Sequence, residues 1–159
     1  MLKTKNITGW GRALSAEVSL ARPERISQIT AERPAIGNCR SYGDASLNDA
    51  GQASIMTRLD RILNFDLETG VLEVEAGICI GELARIFAPQ GWLPAVMPGT
   101  GFATVGGAIT MDVHGKNHHI MGSFGQHVLE ITLRQNGGTK TVKPSTALFK
   151  ATGGGLGQT

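Results

Sequence analysis

The chain has 159 residues, 41% hydrophobic and 18% charged, the make-up of one globular domain or part of one with enough apolar material for a core. A formal net charge of +2, with lysines and arginines scattered and aromatics at 5%, sets nucleic-acid binding aside, because such binders cluster cations in a stripe interleaved with aromatics. Cys39 and Cys79 make neither a CxxC pair nor a disulfide framework, the N-terminus lacks a signal peptide's apolar stretch, and no run approaches the ~20 apolar residues of a membrane span; a soluble, cytoplasmic protein with reduced thiols is expected.

Residues 1–22 read as irregular, with Gly9-Trp10-Gly11-Arg12 as a local anchor. A helix is expected to open over 23–29, because Pro23 suits a first turn, Glu24 complements the dipole, and Ile26 and Ile29 share a face. A short buried strand over 34–36 then feeds a first glycine-rich loop. Strands are expected over 53–56 and 62–65, a turn over 66–70, and a half-buried strand over 71–75, where apolar and polar residues alternate. Residues 80–89 predict an amphipathic helix with Ile80, Leu83, Ala84 and Phe87 on one stripe. Trp92-Leu93-Pro94 leads into a second glycine loop, after which Thr104 caps a helix running to about Asp112. A strand over 127–135, a hairpin turn at Asn136-Gly137-Gly138 and a returning strand over 139–142 follow, then a short helix over 146–150. This irregular mixture predicts an α+β domain rather than a regular doubly wound sheet, and shows no internal repeat.

The 22 glycines are about twice what an average usage of ~7% supplies for this length. They gather at 37–51, 99–107, 115–125 and 153–157, where backbone must turn tightly or approach a ligand. In the first group, Gly37, Asn38, Cys39, Arg40, Ser41, Tyr42, Gly43 and Asp44 leave a strand before regular structure resumes. Consecutive N–H groups in such a turn form a concave anion site, to which Ser41 adds a hydroxyl donor. Arg40 can hold a phosphate or order the loop. Alone, the segment reads equally well as an ordinary turn; it matches neither GxxxxGK[ST] nor GxGxxG.

The second group places Gly99 and Thr100 ahead of a helix that opens on Thr104, Val105, Gly106 and Gly107. A helix N-terminus offers unpaired N–H groups and a positive dipole end to phosphate. Glycine there costs up to ~1 kcal/mol relative to alanine, so two together imply a close approach, by a ligand or by tight packing. Two anion-competent loops in one small domain favour a diphosphate-containing cofactor. The third group runs through Met111, Asp112, Val113, His114, Asn117, His118 and His119. His114 and His118 have the i, i+4 spacing of helical metal ligands, but Gly115 interrupts a helix and neither HExxH nor a cysteine partner is present. No metal site is therefore assigned, and a metal-dependent hydrolase on His114, His118 and His119 is the weaker alternative. Asp112 either orients His114 or ends the helix; His127 reads as structural. The glycine-rich stretch 151–159 reads as a frayed tail or as a working loop cut in its middle.

In this order and spacing the segments resemble the FAD-binding PCMH-type domain of the vanillyl-alcohol oxidase family, most of all its decaprenylphosphoryl-β-ribose oxidase group. The likeness rests on Thr8-Gly9-Trp10-Gly11-Arg12, Arg40-Ser41-Tyr42-Gly43-Asp44, Pro98-Gly99-Thr100 with Thr104-Val105-Gly106-Gly107-Ala108-Ile109, and Asp112-Val113-His114-Gly115-Lys116-Asn117-His118-His119 followed by Gly122-Ser123-Phe124-Gly125. The HGKNHH run is rather specific; RSYGD marks only the wider family. The resemblance implies a domain of two α+β subdomains, here covering 1–159 and incomplete at its C-terminal end. It implies that 37–44 wraps the FAD pyrophosphate, that 99–107 continues the phosphate and ribityl contacts, and that Met111, Val113, His114 and Asn117 lie along the flavin. In many relatives a first-loop histidine is bonded covalently to the isoalloxazine; that place is held here by Arg40, which implies non-covalent FAD. Cys39 stands where relatives often have glycine.

Relatives continue into further sheet and a substrate domain. The resemblance therefore implies an N-terminal fragment, inactive alone, of an oxidoreductase that oxidises an alcohol carbon of a sugar or polyol by hydride transfer to FAD. No catalytic base is assigned in this chain. The alternative is a non-catalytic FAD-binding or assembly module. Self-association is expected through the face that the missing half would cover.

Overall fold

In the computed structural model, which describes residues 2–135 and 138–157, the run Ser15-Ala16-Glu17-Val18-Ser19-Leu20-Ala21 forms an inner strand of a four-stranded sheet. The strands are β1 (Lys3–Thr8), β2 (Ser15–Ala21), β3 (Ala35–Ile36) and β4 (Gln52–Ile55), in the order β1-β2-β4-β3. β1 and β2 pair antiparallel from Lys3↔Leu20 to Thr8↔Ser15, whereas β4 lies parallel to both β2 and β3. Within the stretch expected to be irregular, Lys3–Thr8 and Ser15–Ala21 are thus strands. Ala16, Val18 and Leu20 recur at the strand period of two and are almost wholly buried. β1 carries a single apolar residue, Ile7, and is mostly exposed; pairing with β2 makes it a strand, and its lysines suit an edge.

The helix expected over 23–29 is only a 3-10 turn, Ile26–Gln28. Gln28 Oε1 accepts from the Glu24 and Arg25 N–H groups at 2.7 and 3.2 Å, and no residue of the turn is buried. Without an apolar face to dock, further helical turns have nothing to stabilise them.

The remaining elements follow the expected order more closely. β5 (Ile62–Phe65) and β6 (Leu72–Val74) pair antiparallel around a turn closed by Gly70 N–H to Asp66 O at 2.8 Å. α1 (Ile80–Phe87) buries Ile80, Leu83 and Phe87, and passes into a 3-10 turn over Ala88–Gln90 that contains Pro89. α2 (Val105–Thr110) starts at the Thr104 cap, and α3 (His118–Met121) is a single turn. β7 (Ile131–Gln135) and β8 (Gly138–Val142) pair antiparallel, and the expected hairpin turn at Asn136-Gly137 lies outside the described residues. β7 begins four residues later than expected, because His127 closes a 3-10 turn, Phe124–His127, with its Nε2 bonded to Met121 O at 2.7 Å. α4 (Ala147–Thr152) opens on a Thr146 cap. Sheets and helices mix without a regular βαβ repeat, so the fold class is α+β. Among the described residues no helix is long and apolar enough to cross a membrane.

The core has two centres. One gathers Ala16, Val18, Leu20, Ile36 and Ala53 on the first sheet. The other packs Ile78, Ile80, Leu83 and Phe87 against Val105 and Ala108 of α2, with Phe65 set 4.2 Å from Phe87 between ring centroids. Truncating a side chain as buried as Ile80 to alanine costs about 2–5 kcal/mol. The start of α1 is tied to the second glycine loop by Ile80 N–H to Ala103 O and Gly81 N–H to Gly101 O, both 2.9 Å. A Cβ on Gly81 would stand 2.8 Å from Gly101 Cα, so only glycine permits this approach. The last described residues are held rather than frayed: Gly154 and Leu156 N–H donate to Ile109 O and Thr110 O at 3.2 and 2.8 Å.

Before the second centre, Arg61 grips Glu75 through Nε at 2.9 Å and through its backbone N–H at 3.0 Å. The guanidinium bond holds the Glu75 carboxyl below its ordinary pKa. A depressed folded-state pKa stabilises the fold above the unfolded value of about 4.3 and loses that contribution as pH falls through the folded value. Thermal melts of the wild-type chain and Glu75→Gln should therefore differ at pH 7, draw together below about pH 4.3, and coincide once the folded carboxyl is protonated. A gap that stayed constant with pH would contradict this.

Candidate cofactor site

β3 and β4 deliver the first glycine loop: Ile36 is buried, and its carbonyl accepts from Met56 N–H at 2.9 Å. Beyond Gly37 the ladder ends. None of the backbone N–H groups of Asn38, Cys39, Arg40, Ser41, Tyr42 and Gly43 donates to an acceptor among the described residues. Cys39 has a φ of 52°, in the left-handed region that favours glycine. Left-handed residues among ordinary ones are what turn successive N–H groups into an anion-binding nest. Cys39 thus keeps a glycine-like backbone despite its side chain.

The loop is fastened on two sides. On one, Trp10 N–H donates to Ser41 O at 2.9 Å. On the other, Asn38 Nδ2 donates to Phe102 O at 3.0 Å and to Cys79 Sγ at 3.2 Å. A Cβ on Gly37 would overlap Thr104 Oγ1, the atom that caps α2. Arg40 Cζ lies 5.6 Å from the Trp10 ring centroid and 5.4 Å from that of Phe102. The first and second glycine loops, distant in sequence, are one structure here.

The expectation for the α2 N-terminus needs correction. Val105 N–H donates to Ile78 O, Gly106 N–H to Ala76 O, Gly107 N–H to Thr104 Oγ1 and Ala108 N–H to Thr104 O, at 2.8–3.2 Å. The donors that an anion would use are taken by the protein itself. A Cβ on Gly106 would stand 3.0 Å from Ala76 Cβ, so tight packing accounts for that glycine. Thr104 and Val105 are buried, one as a cap and the other in the core. Among the described residues, the free donors of this segment lie just ahead of the helix: the N–H groups of Gly99, Thr100, Gly101, Ala103 and Thr104 find no acceptor, while Phe102 N–H donates to Thr100 Oγ1 at 3.3 Å.

The third segment follows directly from α2. Val113 N–H donates to Ala108 O at 3.0 Å and the side chain packs against the second core centre, whereas Met111 and His114 do not join either core centre. Asp112 does not orient His114; its Oδ1 accepts from Gly125 N–H at 2.9 Å and draws the 122–125 turn in. Asn117 Nδ2 donates to Ala95 O at 3.0 Å, and His114 pairs through its backbone with Ser123. The His114 and His118 rings lie 5.3 Å apart between centroids, edge to face. Among the described residues no group of three or more His, Cys, Asp or Glu side chains is arranged to hold a metal ion.

Three residues outside the expected set complete the geometry: Trp10, Cys79 and Phe102. Two had a legible signal, each being a lone aromatic among glycines, and they are 49% and 62% exposed instead of sitting in the core. Cys79 had none. Its thiol is pushed above its ordinary pKa chiefly by burial, which keeps it a neutral partner for Asn38.

The chain matches the family described as FAD binding domain over residues 30–142. It is 40% identical to decaprenylphosphoryl-beta-D-ribose oxidase of Mycolicibacterium smegmatis, across 98% of this chain and 37% of that protein. It is also 47% identical to an uncharacterised protein of Streptomyces coelicolor over 52% of this chain and 23% of the relative. Likeness to a D-lactate dehydrogenase of Anaerostipes hadrus is 35% over 38% of this chain and 13% of that protein. The chain thus spans well under half the length of each of these relatives.

The left-handed backbone at Cys39 discriminates between substitutions. Cys39→Gly should change stability by less than about 1 kcal/mol, strain relief offsetting the freer unfolded chain, whereas β-branched Cys39→Val should destabilise by roughly 2 kcal/mol. Urea melts of the two variants test this, and equal losses would refute the strain assignment.

Proposed function

The chain belongs to the FAD binding domain family, and on that premise we propose that it holds FAD without a covalent bond as the cofactor domain of an alcohol-oxidising flavoenzyme. FAD is the cofactor of this family. The observation that carries the placement is the run of six consecutive N–H groups, Asn38 to Gly43, left without acceptors among the described residues. A diphosphate supplies oxygen acceptors for such a concave array of donors. The free N–H groups of Gly99 and Thr100, on the loop that Asn38 fastens alongside, extend the array toward the ribityl chain. Thr104 follows that loop as the cap of α2, and the N–H groups of Val105, Gly106 and Gly107 are held by Ile78, Ala76 and Thr104. Met111, Val113, His114 and Asn117 lie along the flavin, with Val113 and Asn117 held by their core and backbone contacts. The first loop contains no histidine, which supports non-covalent attachment.

The bound flavin supplies a hydride acceptor; what this chain adds is placement and charge neutralisation. The substrate of the whole protein is an alcohol carbon of a sugar or polyol derivative. A relative named for a β-D-ribose derivative and 40% identical over nearly the whole chain supports that class. Substrate-side groups come from sequence outside this chain, which alone serves as a non-catalytic module. Exposed Ile120 and Leu129, at 77% and 63%, support self-association of the isolated chain, which sedimentation velocity would test.

Titration with FAD, followed by gel filtration and a visible spectrum, tests the central reading. Flavin should co-elute with the chain and be released on denaturation in acid. A chain that takes up no FAD would overturn the reading, and flavin retained on the denatured protein would overturn non-covalent attachment. Alcohol-dependent bleaching should occur in a protein of the relatives' full length and be absent in this chain.

A further inference from the structure

We propose that Trp10 and Phe102 are positioning residues which hold the Arg40 guanidinium edge-on to the cofactor diphosphate, so that three separate chain segments build one preformed cationic clamp. This rests on the reading of the site as an FAD site and adds the device that orients its central cation. Arg40 lies in the middle of the acceptor-free N–H run, so the root of its side chain is on that loop. Trp10 and Phe102 stand 5.6 and 5.4 Å from Arg40 Cζ, both within cation–π range.

Two rings within cation–π range restrict where the guanidinium can sit without using its N–H groups, which stay available to acceptors in a planar fork that an ammonium lacks. Arg40 donates no hydrogen bond and makes no ion pair among the described residues, so those edges are not spent on the protein. Each ring carrier is tied to the loop independently. Trp10 N–H donates to Ser41 O at 2.9 Å, and Phe102 O accepts from Asn38 Nδ2 at 3.0 Å. Three segments thus meet at Arg40 through bonds made by the protein alone. Core packing does not account for the rings, which are 49% and 62% exposed.

A double-mutant cycle on the wild-type chain with FAD as the probe tests this by titration calorimetry. Arg40→Met should weaken FAD binding roughly thirtyfold, the loss of a charge-assisted contact, and Phe102→Leu or Trp10→Leu about tenfold. Because the rings act through Arg40, each double variant with Arg40→Met should bind no more weakly than Arg40→Met alone. Arg40→Lys should recover little, Phe102→Tyr should restore wild-type affinity, and Arg40→Met should flatten the salt dependence of binding. Losses that multiply in the double variants, or ring variants within about twofold of wild type, would overturn the clamp while leaving FAD binding intact. A wild-type chain that binds no FAD would sink the functional reading and this inference with it.

Discussion

The Asn38 side-chain amide holds together the parts on which the site depends. Its Nδ2 reaches both Phe102 O and Cys79 Sγ, and so joins the loop after β3 to the second glycine loop and to the start of α1. The two core centres lie on either side of this joint: one on the first sheet, the other around α1 and α2. Gly37 lets the joint close by leaving room for Thr104 Oγ1, which is already engaged in capping α2. A partly buried amide with its donors satisfied is worth about 1 kcal/mol net, but an unpaired one costs more than it would have contributed. The joint is therefore modest in energy and strict in geometry.

A division between spent and unspent donors follows from that joint. The first turn of α2 gives its N–H groups to Ile78, Ala76 and Thr104, so the helix is bolted into the core at the end where an anion would otherwise be received. The loop from Asn38 to Gly43 keeps its donors free and is fixed by carbonyls, side chains and rings instead. Rigidity is supplied by one set of groups, while another set keeps its donors without acceptors among the described residues. A backbone donor left without an acceptor is costly if it is also buried, and Arg40, Tyr42 and Gly43 are exposed, which lets water serve until a ligand replaces it.

The third segment extends this frame without adding charge to it. Val113 returns to the core beside α2, Asp112 draws in the 122–125 turn, and Asn117 fixes the stretch to Ala95. His114 stays outside both core centres, on a backbone bridged to Ser123. In this segment His114 sits on the bridge to Ser123 while His118 and His119 stand on the single turn of α3, their rings 5.3 and 5.9 Å apart in sequence order.

By itself the sequence determined the elements whose cause is local. β5, the α1 stripe, the Asp66–Gly70 turn and the Thr104 cap stand where pattern places them, the turn and the cap through bonds within a few residues. It also marked the four glycine-rich segments and the α+β class. Only the tertiary structure decided the rest. β1 is a strand because β2 lies beside it, and the residues after Pro23 form one 3-10 turn because nothing apolar awaits a longer helix. The α2 donors are spent because Ala76 and Ile78 pass beside them, and Trp10 and Phe102 flank Arg40 because three distant segments converge. Hydrogen-bond partners and ring contacts far apart in sequence leave no periodicity to read; they exist only once the chain has brought the segments together.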